Sequence, residues 1–346
     1  MTNKLIIAVK GFCKDWTCRD VQYKIGETRT LPEEEVVLCE KGFHSVSGNP
    51  FHVFDYYAPA RSVYGEVETD VVDEENDKVV GSRLTVRKEL SIEGLRRVFF
   101  RWFKRMRRPE SYSNAFNTVS ATSGDETRAN AAGDMSIAAD TGDYSYAGAG
   151  GDMGAACETG DASYAFSSGL AGAAANTGKG GVCVAHNIFS VAAATGDDSL
   201  ALTTGTWGIA SNSGNGGVAR SLGYGSACAA SAHNGQAVIE GYKGVAATLG
   251  DYAESHAKGT ASVAVATGCN SEAYASGEGS IALGTGDGAM LQGVKGSVLI
   301  WALYSDYNRL HKLYATRVDG ERVKADTLYK IVDEELTEVD PDNKYL

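Results

Sequence analysis

The segments TGDYSYAGA (141–149), TGDASYAFS (159–167), TGDDSLALT (195–203) and SGEGSIALG (276–284) are variants of one nine-residue unit. Residues 123–293 divide into 19 such units without an insertion, and position 2 is Gly in 17 of them. Position 5 is Ser or Gly in 16 units, and position 7 is Ala in 15. A fixed period over this length predicts a repeat architecture.

Each unit predicts one short strand and one turn. Positions 5 to 9 alternate as in a strand, with 5, 7 and 9 on one face and 6 and 8 on the other. Gly at position 2 is expected to form the turn, because glycine reaches positive φ without steric cost. A pair of nonapeptides, 18 residues, then makes one coil of a flat two-sheet β-solenoid in a mainly β protein.

Residue type predicts which strand face lies inside the coil. Positions 5 and 7 are nearly all Ser, Gly and Ala, whereas position 6 includes Arg128, Glu254 and Glu272. Unpaired buried charge is too costly for a narrow dry core. We therefore expect positions 5 and 7 to point inward over a core of Ala and Ser, and the opposite assignment is the alternative.

The outward positions 6 and 8 differ between the first and the second unit of each 18-residue pair. In the first units they form a mixed face, which we expect to meet solvent or a partner through Tyr146, Tyr164 and Phe166. In the second units they form an apolar strip, and monomers rarely expose a continuous apolar patch. We therefore predict that the strip is the interface of a homodimer or higher homo-oligomer. Its main residues are Ile137, Val191, Ile209, Val245, Val263, Ile281 and Leu283.

Two alternatives for the apolar strip remain open at this point. The strip could line the lumen of the coil, or a terminal domain could fold over it.

Glycine and negative charge are both concentrated in the repeats. Of the 42 Gly, 33 lie in residues 123–293, which contain none of the 5 Pro. The same segment has 5 Lys and Arg against 16 Asp and Glu, so it carries −11 of the chain's net charge of −12. We expect an acidic rod, which disfavours nucleic-acid binding except through the basic segment Arg96–Arg108.

Asp recurs at position 3 of the unit, as in Asp143, Asp161 and Asp197. A calcium-binding β-roll also repeats every nine residues, but its ligand Asp stands at position 6. We therefore predict no metal site and interpret these residues as turn caps that bond local N–H groups. A ladder of carboxylates also mimics a phosphate backbone, so the three Asp are candidate partner-binding residues as well.

The segment before the repeats predicts a small domain and a basic helix. Residues 1–92 are expected to be α+β, with strands at 5–12, 35–45, 63–72 and 78–86 and a short helix at 49–58. Within 93–113, LRRVFFRWFKRMRR (95–108) is basic and amphipathic, which favours a helix that caps the first coil. The alternative is that residues such as Arg101 and Arg105 bind an anionic lipid surface, nucleic acid or an acidic partner.

The repeats are expected to span 114–293, and residues 294–346 are predicted to be a C-terminal β cap. Strand-like runs at 298–305, 310–318 and 327–332 follow the last repeat, with Asp319–Gly320 as a hairpin turn. A solenoid end needs such a cap, because its open strand edges would otherwise polymerise.

Cysteine use and hydropathy indicate a cytoplasmic setting, which would be the host cytoplasm if a phage encodes the protein. The 7 Cys show no CxxC pair and no zinc-like spacing, so free thiols are expected. No apolar run reaches the length of about 18 residues that a membrane span needs. The apolar run near the N-terminus is too short for a signal sequence.

The sequence contains no P-loop, HExxH motif or Ser/His/Asp set, and we predict no cofactor and no catalytic residues. One constellation, His44 followed by Tyr64-Gly65-Glu66-Val67-Glu68, resembles small ADP-ribosyltransferase-like domains. In those domains a loop after a strand faces the cofactor, and a Glu on a later strand contacts its ribose. The resemblance implies His44, Glu66 and Glu68 as alternative catalytic candidates.

The whole chain, with the TGDxSxA repeats as a middle of variable number, resembles an uncharacterised family found in bacteriophage and gut-bacterial genomes. The matching residues are IAVKGF (7–12), LCEKGFH (38–44), TRVDG (316–320), KADT (324–327) and Tyr329. The family carries no assigned chemistry. From the rigid acidic repeats and the absence of catalytic motifs we expect a non-enzymatic binding protein, which, if a phage encodes it, interacts with a host protein, for example to block a defence complex.

The repeat segment SGEGSIALGTGDGA (276–289) is also similar to head repeats of trimeric autotransporter adhesins. A virion or adhesive structural component is accordingly the alternative function.

Overall fold

The computed structural model describes residues 5–19, 21–59, 61–75, 78–103, 110–304, 310–340 and 344. The chain divides into two compact units, residues 1–108 and 109–346.

The N-terminal unit is built on a seven-stranded sheet of order β4-β9-β6-β1-β5-β8-β7, and β2 and β3 form a separate pair. Its strands are β1 (Ile6–Cys13), β2 (Thr17–Cys18), β3 (Val21–Gln22), β4 (Thr28–Thr30), β5 (Phe43–Val46), β6 (Ser62–Thr69), β7 (Asp73–Glu75), β8 (Lys78–Gly81) and β9 (Arg83–Leu90). The helices are two short 3-10 turns, Glu33–Glu35 and Pro50–Asp55, and α1 (Ile92–Phe103). Alternate residues of β1, Ala8 and Phe12, pack on Val67 and Val86 in the core.

Two of the predicted strands in this unit, 5–12 and 63–72, correspond to β1 and β6. Only the end of the predicted strand 35–45 is extended, because Cys39 has a left-handed φ of 67° that interrupts it. The predicted strand 78–86 is two strands that separate at Ser82. There the carboxylate of Asp70 accepts hydrogen bonds from the hydroxyl of Ser82 at 2.6 Å and the N–H of Arg83 at 2.8 Å.

The predicted helix at 49–58 is the 3-10 turn Pro50–Asp55. It begins at the expected signal, since the side chain of Asn49 accepts a hydrogen bond from the N–H of Phe51 at 3.0 Å.

The second unit is the predicted β-solenoid, with eleven parallel strands in each of two sheets. The first-unit sheet contains β10 (Glu110–Ser113), β12 (Arg128–Ala131), β14 (Tyr146–Ala149), β16 (Tyr164–Ser167), β18 (Val182–Ala185), β20 (Leu200–Thr203), β22 (Val218–Ser221), β24 (Gln236–Ile239), β26 (Glu254–Ala257), β28 (Glu272–Ala275) and β30 (Met290–Gly293). The second-unit sheet contains β11 (Val119–Thr122), β13 (Ile137–Asp140), β15 (Ala155–Glu158), β17 (Ala173–Asn176), β19 (Val191–Ala194), β21 (Ile209–Asn212), β23 (Ala227–Ala230), β25 (Val245–Thr248), β27 (Val263–Ala266), β29 (Ile281–Gly284) and β31 (Val298–Tyr304). Each residue pairs with the residue 18 positions later, as Tyr146 does with Tyr164, except that β29 pairs with β31 at an offset of 17.

The lumen contains the small residues that the period placed there. The position 7 residues Ala147, Ala165 and Ala201 are fully buried. The position 5 hydroxyl of Ser163 donates to the carbonyl of Gly142 at 3.0 Å and accepts from the N–H of Ser145 at 3.1 Å. Serine is therefore small enough for the narrow core, and it also pairs backbone groups of the preceding coil.

Gly at position 2 is required for a reason other than the predicted one. A Cβ atom on Gly160 would lie 2.0 Å from the carbonyl oxygen of Gly142, one coil earlier. Among the position 2 glycines only Gly124 has a left-handed φ, whereas position 4 residues such as Tyr144 adopt φ near 58°. The glycines are therefore needed because stacked turns touch, and the turn's left-handed residue is at position 4.

Both sheets end in antiparallel strands, which confirms the C-terminal β cap. β31 pairs with β32 (Leu310–Arg317), and β30 pairs with β33 (Tyr329–Val332), which pairs with β34 (Glu335–Glu338). Trp301 is buried in this end, and its Nε1 donates to the carbonyl of Ala289 at 3.2 Å. The hairpin at Asp319–Gly320 was a wrong prediction, because β32 and β33 lie in different sheets.

Gly160→Ala is expected to lower the free energy of unfolding of the solenoid by about 3 kcal/mol, because the new methyl group overlaps a carbonyl that belongs to a stacked backbone. Chemical denaturation followed by far-UV circular dichroism measures this. The matched control is Gly150→Ala, whose Cβ would have its nearest neighbour at 3.6 Å. Equal losses in the two variants would contradict the stacking argument.

Glu158 fits the lumen poorly, and we therefore expect its substitution to stabilise the protein. Asn176, one coil later in the same row, accepts the N–H of Gly178 at 2.9 Å, but the longer Glu158 carboxyl has no such partner. Burial, aided by Asp140, raises the pKa of Glu158 to about 10. We expect Glu158→Asn to stabilise the protein by about 2 kcal/mol at neutral pH.

The pH dependence distinguishes this cause from a general packing effect. The pKa of Glu158 is higher in the folded protein than its ordinary value of 4.5. The protonated side chain therefore stabilises the fold below pH 4.5, and this stabilisation is lost as the pH rises toward 10. The gain from Glu158→Asn should therefore shrink as pH falls toward 4.5 in denaturation series. A stability gain that does not change with pH would disprove that the buried carboxyl of Glu158 is the cause.

Candidate functional site

The apolar strip lies on the outside of the second-unit sheet. The exposed fractions of Ile137, Val191, Ile209 and Val245 are 42, 38, 50 and 43%, and Val263, Ile281 and Leu283 are half-buried. The position 7 alanines of the same strands point into the lumen and are fully buried. The strip is therefore an external surface, and the alternative that it lines the lumen was wrong.

The mixed face of the first-unit sheet is less accessible than the sequence predicts. Tyr164 is fully buried and Tyr146 is 7% exposed, and their rings stack with centroids 5.7 Å apart. Phe166 is half-buried, and its centroid is 6.3 Å from that of Tyr164 and 5.3 Å from that of His186. Equivalent rings stack because the in-register coils bring them together. Since Tyr146 and Tyr164 are also buried, they do not offer a free surface to a partner.

The position 3 carboxylates form a ladder along one corner of the rod. Asp143 accepts the N–H of Asp161 at 2.8 Å, Asp161 accepts that of Lys179 at 2.7 Å, and Asp197 accepts that of Asn215 at 2.8 Å. Each cap therefore bonds the next coil, and all three Asp remain exposed. Within the described ranges no group of three or more His, Cys, Asp or Glu could hold a metal ion.

A row of exposed aromatic side chains on the opposite corner was missed by the sequence analysis. Phe189, Trp207, Tyr224 and Tyr242 have exposed fractions between 43 and 61%. The ring centroids of Trp207 and Tyr224 are 5.7 Å apart, and those of Tyr224 and Tyr242 are 5.6 Å apart. They occupy positions 3 and 4 of second units, immediately before the strands of the apolar strip. Their spacing of 17 or 18 residues was the available signal, but these turn positions vary in type.

The N-terminal unit contains a cavity of about 550 Å³ between β1 and β5. β1 pairs with β6 along all eight of its residues, but with β5 only at Val9 and Val46. Beyond that pair the two strands diverge, and the gap leaves room for the cavity. The polar side chains along its wall include Lys10, Cys18, Arg19, His44, Tyr57 and Lys78.

Tyr57 fixes one wall of this cavity. Its ring lies over Gly11, where a Cβ atom would be 2.4 Å from the Tyr57 Cγ. The Tyr57 hydroxyl and the Cys18 Sγ are 2.8 Å apart. Burial, together with this hydrogen bond, raises the pKa of Tyr57, so the hydroxyl keeps its proton at neutral pH.

His44 and Lys10 form the opposite wall. The Nε2 of His44 accepts the N–H of Cys39 at 2.9 Å, and its backbone carbonyl accepts the ammonium of Lys10 at 2.9 Å. Burial lowers the pKa of His44, and the charges of Lys10 and Arg19 lower it further. Burial also lowers the pKa of Lys10.

The structure does not bring Glu66 and Glu68 to the cavity that His44 lines. The Oε2 of Glu66 is 3.3 Å from the Nζ of Lys88 and 3.6 Å from a guanidinium nitrogen of Arg101. Glu68 pairs with Arg87 at 3.2 Å. The three residues that carry the ADP-ribosyltransferase-like resemblance therefore do not assemble around one cavity in the described part of the unit.

The described part of the basic helix belongs to the N-terminal unit. Leu95 is fully buried, and Arg101 makes the ion pair with Glu66. Arg105 and the rest of 104–109 lie outside the described residues, so the capping role of this helix stays a prediction. No helix within the described ranges is long and apolar enough to cross a membrane.

Acidification is expected to destabilise the N-terminal unit through His44. Its folded pKa lies below the ordinary 6.5, so the unfolded chain takes up a proton that the folded unit resists. Stability is therefore complete well above pH 6.5 and is lost as pH falls through that value toward the folded pKa. Amide hydrogen exchange of β1 and β5 between about pH 7.5 and 5.5 measures the loss after correction for intrinsic rates.

His44→Gln should reduce this pH dependence, because its amide oxygen accepts the Cys39 N–H without titrating. His311→Gln is the control, since the His311 side chain is 60% exposed and lies in the solenoid end. An unchanged pH dependence in His44→Gln would refute the assignment.

Comparison with known proteins places one recognisable domain in the N-terminal unit. Residues 6–97 match the family model of a domain of unknown function, DUF7666. No curated protein and no solved structure matches the chain.

Proposed function

We propose that this protein is a non-enzymatic, self-associating β-solenoid scaffold in which two copies pack face to face through the apolar strip. The observation that supports this most directly is the exposure of Ile209, Ile137 and Val245 on one flat sheet face. An exposed row of this kind along a whole rod is rare on a monomer. A second copy is the simplest partner, because it presents a face of the same length and period.

The order of large and small residues along the strip favours an antiparallel pair centred on Ile209. At position 6, a twofold axis at Ile209 sets Ala155 against Val263 of the second copy, Ala173 against Val245, and Val191 against Ala227. Each of these small residues meets a large one, and Ile137 faces Ile281 at each end of the strip. A parallel pair with its twofold axis along the position 6 row would set Ala against Ala and Val against Val, leaving gaps between the larger side chains.

Position 8 of the strip repeats the same complementarity. About the same axis Ala139 faces Leu283 and Cys157 faces Val265, while the centre is occupied by small residues. Eleven strands at about 4.8 Å give a strip roughly 50 Å long, which at a width of about 13 Å buries roughly 1,300 Å² in the pair. That area is within the range of stable protein interfaces.

Pairing through the strip would leave the acidic corner free for another partner. The exposed carboxylates of Asp143, Asp161 and Asp197 repeat at the coil spacing, and residues 123–293 carry a net charge of −11. A partner with a basic surface, such as a host protein that binds nucleic acid, has the matching charge. A phage origin and a host target are part of this proposal.

Ile209→Asp is expected to convert the dimer to a monomer, because two buried carboxylates would face each other across the axis. Size-exclusion chromatography with light scattering measures the mass. The control is Ile25→Asp, a substitution of an equally exposed Ile outside the solenoid, with exposed fractions of 53% for Ile25 and 50% for Ile209. A monomeric unmodified protein at micromolar concentration would end the proposal.

The register can be checked in a Cys157→Ala background, since Cys157 lies in the strip. Mild oxidation should cross-link Ile209→Cys to itself, whereas Val245→Cys should cross-link only when mixed with Ala173→Cys. Self-cross-linking of Val245→Cys would indicate a parallel pair instead.

A further inference from the structure

Lys10 brings a buried positive charge to the cavity of the N-terminal unit. The residue is only 4% exposed. Its Nζ donates to the carbonyl of His44 at 2.9 Å and lies 5.6 Å from the ring centroid of Phe12 and 5.9 Å from that of Tyr23. Burial lowers the pKa of Lys10, and the group that opposes this is the Cys18 thiol rather than a carboxylate of the described residues. Buried charges are normally paired, so this ammonium favours an anion as ligand.

Two further cations, Arg19 and Lys78, line the same cavity, and both lie close to Cys39. A guanidinium nitrogen of Arg19 is 3.4 Å from the Cys39 carbonyl, and another donates to the carbonyl of Glu40 at 2.5 Å. The Nζ of Lys78 is 3.5 Å from the Cys39 Sγ and 4.7 Å from the ring centroid of Tyr56. Both cations thus contact neutral groups, and neither has a carboxylate partner in the part of the chain described.

The pKa of His44 indicates that all three positive charges lie near its imidazole. After burial, the causes that lower its pKa include the positive charges of Lys10, Arg19 and Lys78. Glu40 is the one acidic residue among the described lining. The cavity wall is therefore positive in balance, and its imidazole is held neutral.

The rest of the cavity is suited to an apolar body. Its remaining wall includes the side chains of Val9, Val21, Leu31, Val46 and Val53. A volume of about 550 Å³ falls in the usual range for small-molecule sites. A ligand that satisfies both walls has an anionic group at one end and an apolar or ring-shaped body at the other.

We infer that this cavity binds a phosphate monoester with an apolar or aromatic body, with Lys10, Arg19 and Lys78 as the ligands of its phosphate group. Three cationic donors on one wall suit the three oxygens of a dianionic phosphate better than a carboxylate, which offers two oxygens in one plane. The cavity at the end of the solenoid differs, because its buried Glu272 is already paired with Lys344 at 2.5 Å.

Isothermal titration calorimetry of the full chain tests this with phenyl phosphate and adenosine 5′-monophosphate as the two phosphate monoesters. Binding of phenyl phosphate alone would identify a small aryl or alkyl phosphate, and tighter binding of the nucleotide would identify a nucleoside phosphate. Inorganic phosphate, benzoate and adenosine are the comparison ligands, and each should bind at least about tenfold more weakly. No binding of either monoester at millimolar concentration overturns the inference, as does equal binding of a comparison ligand.

Lys10→Met separates binding from folding, because Met keeps the apolar stem and removes the charge. We expect this variant to unfold at a higher temperature than the parent, since it no longer buries an ammonium without a carboxylate partner. Its affinity for the phosphate monoester should nevertheless fall by about tenfold or more. Arg19→Gln, at an exposed position, should weaken binding in the same direction without a change in fold.

The matched control is Lys24→Met, which removes an exposed Lys that does not line the cavity. It should bind like the parent protein. Unchanged affinity in Lys10→Met, or an equal loss in Lys24→Met, would show that the phosphate is not held in this cavity.

Discussion

The close approach of stacked turns is the constraint on which the rest of the solenoid depends. At Gly142, Gly160 and Gly178 a Cβ atom would be 1.9 to 2.0 Å from the carbonyl oxygen one coil earlier. At these three positions a side chain would overlap that oxygen, although Asn187 and Ala232 occupy the equivalent position in two other units. Because the turns touch, the strands of the repeats stay in one register, and from β10 to β30 each side chain meets its equivalent 18 residues away. The rows of Asp, Ser and aromatic side chains are all consequences of that register.

In-register stacking places equivalent side chains in rows, and each row either stabilises the fold through its own contacts or destabilises it. An Asp row at position 3 is stable because each carboxylate accepts the next coil's N–H, as Asp143 does from Asp161 at 2.8 Å. A Ser row at position 5 pairs backbone groups inside the lumen. Glu158 shows the cost, because its carboxyl is too long for the corner that Asp140 and Asn176 fit, and its pKa rises to about 10. The repeat therefore tolerates variation outside the coil far better than inside it.

Much of the fold could be predicted because the period is longer and stricter than any local signal. It established the two sheets, the alanine lumen and the outward apolar strip. It could not reveal that Gly at position 2 is required by the close approach of the neighbouring coil. The sequence of one unit contains no information on the distance between stacked turns. It also missed the burial of Tyr146 and Tyr164, because a strand pattern separates inside from outside but does not show what packs on the outside. The N-terminal cavity was beyond reach for a similar reason: Lys10, Cys39 and Lys78 are far apart in sequence and meet through the divergence of β1 from β5.

The same packing rule divides the kinds of recognition between the two units. A lumen filled by Ala147, Ala165 and Ala201 has no room for a ligand, so the repeats can act only through their outer surfaces and corners. Flat faces with a fixed period suit large partners, and above all a second rod. A cavity requires two neighbouring strands to separate. A strict parallel ladder does not allow this, whereas in the N-terminal unit β1 and β5 separate beyond Val9 and Val46. The two proposals follow this division: they assign small-molecule binding to Lys10 and its neighbouring cations, and macromolecular contacts to the strip and the acidic corner.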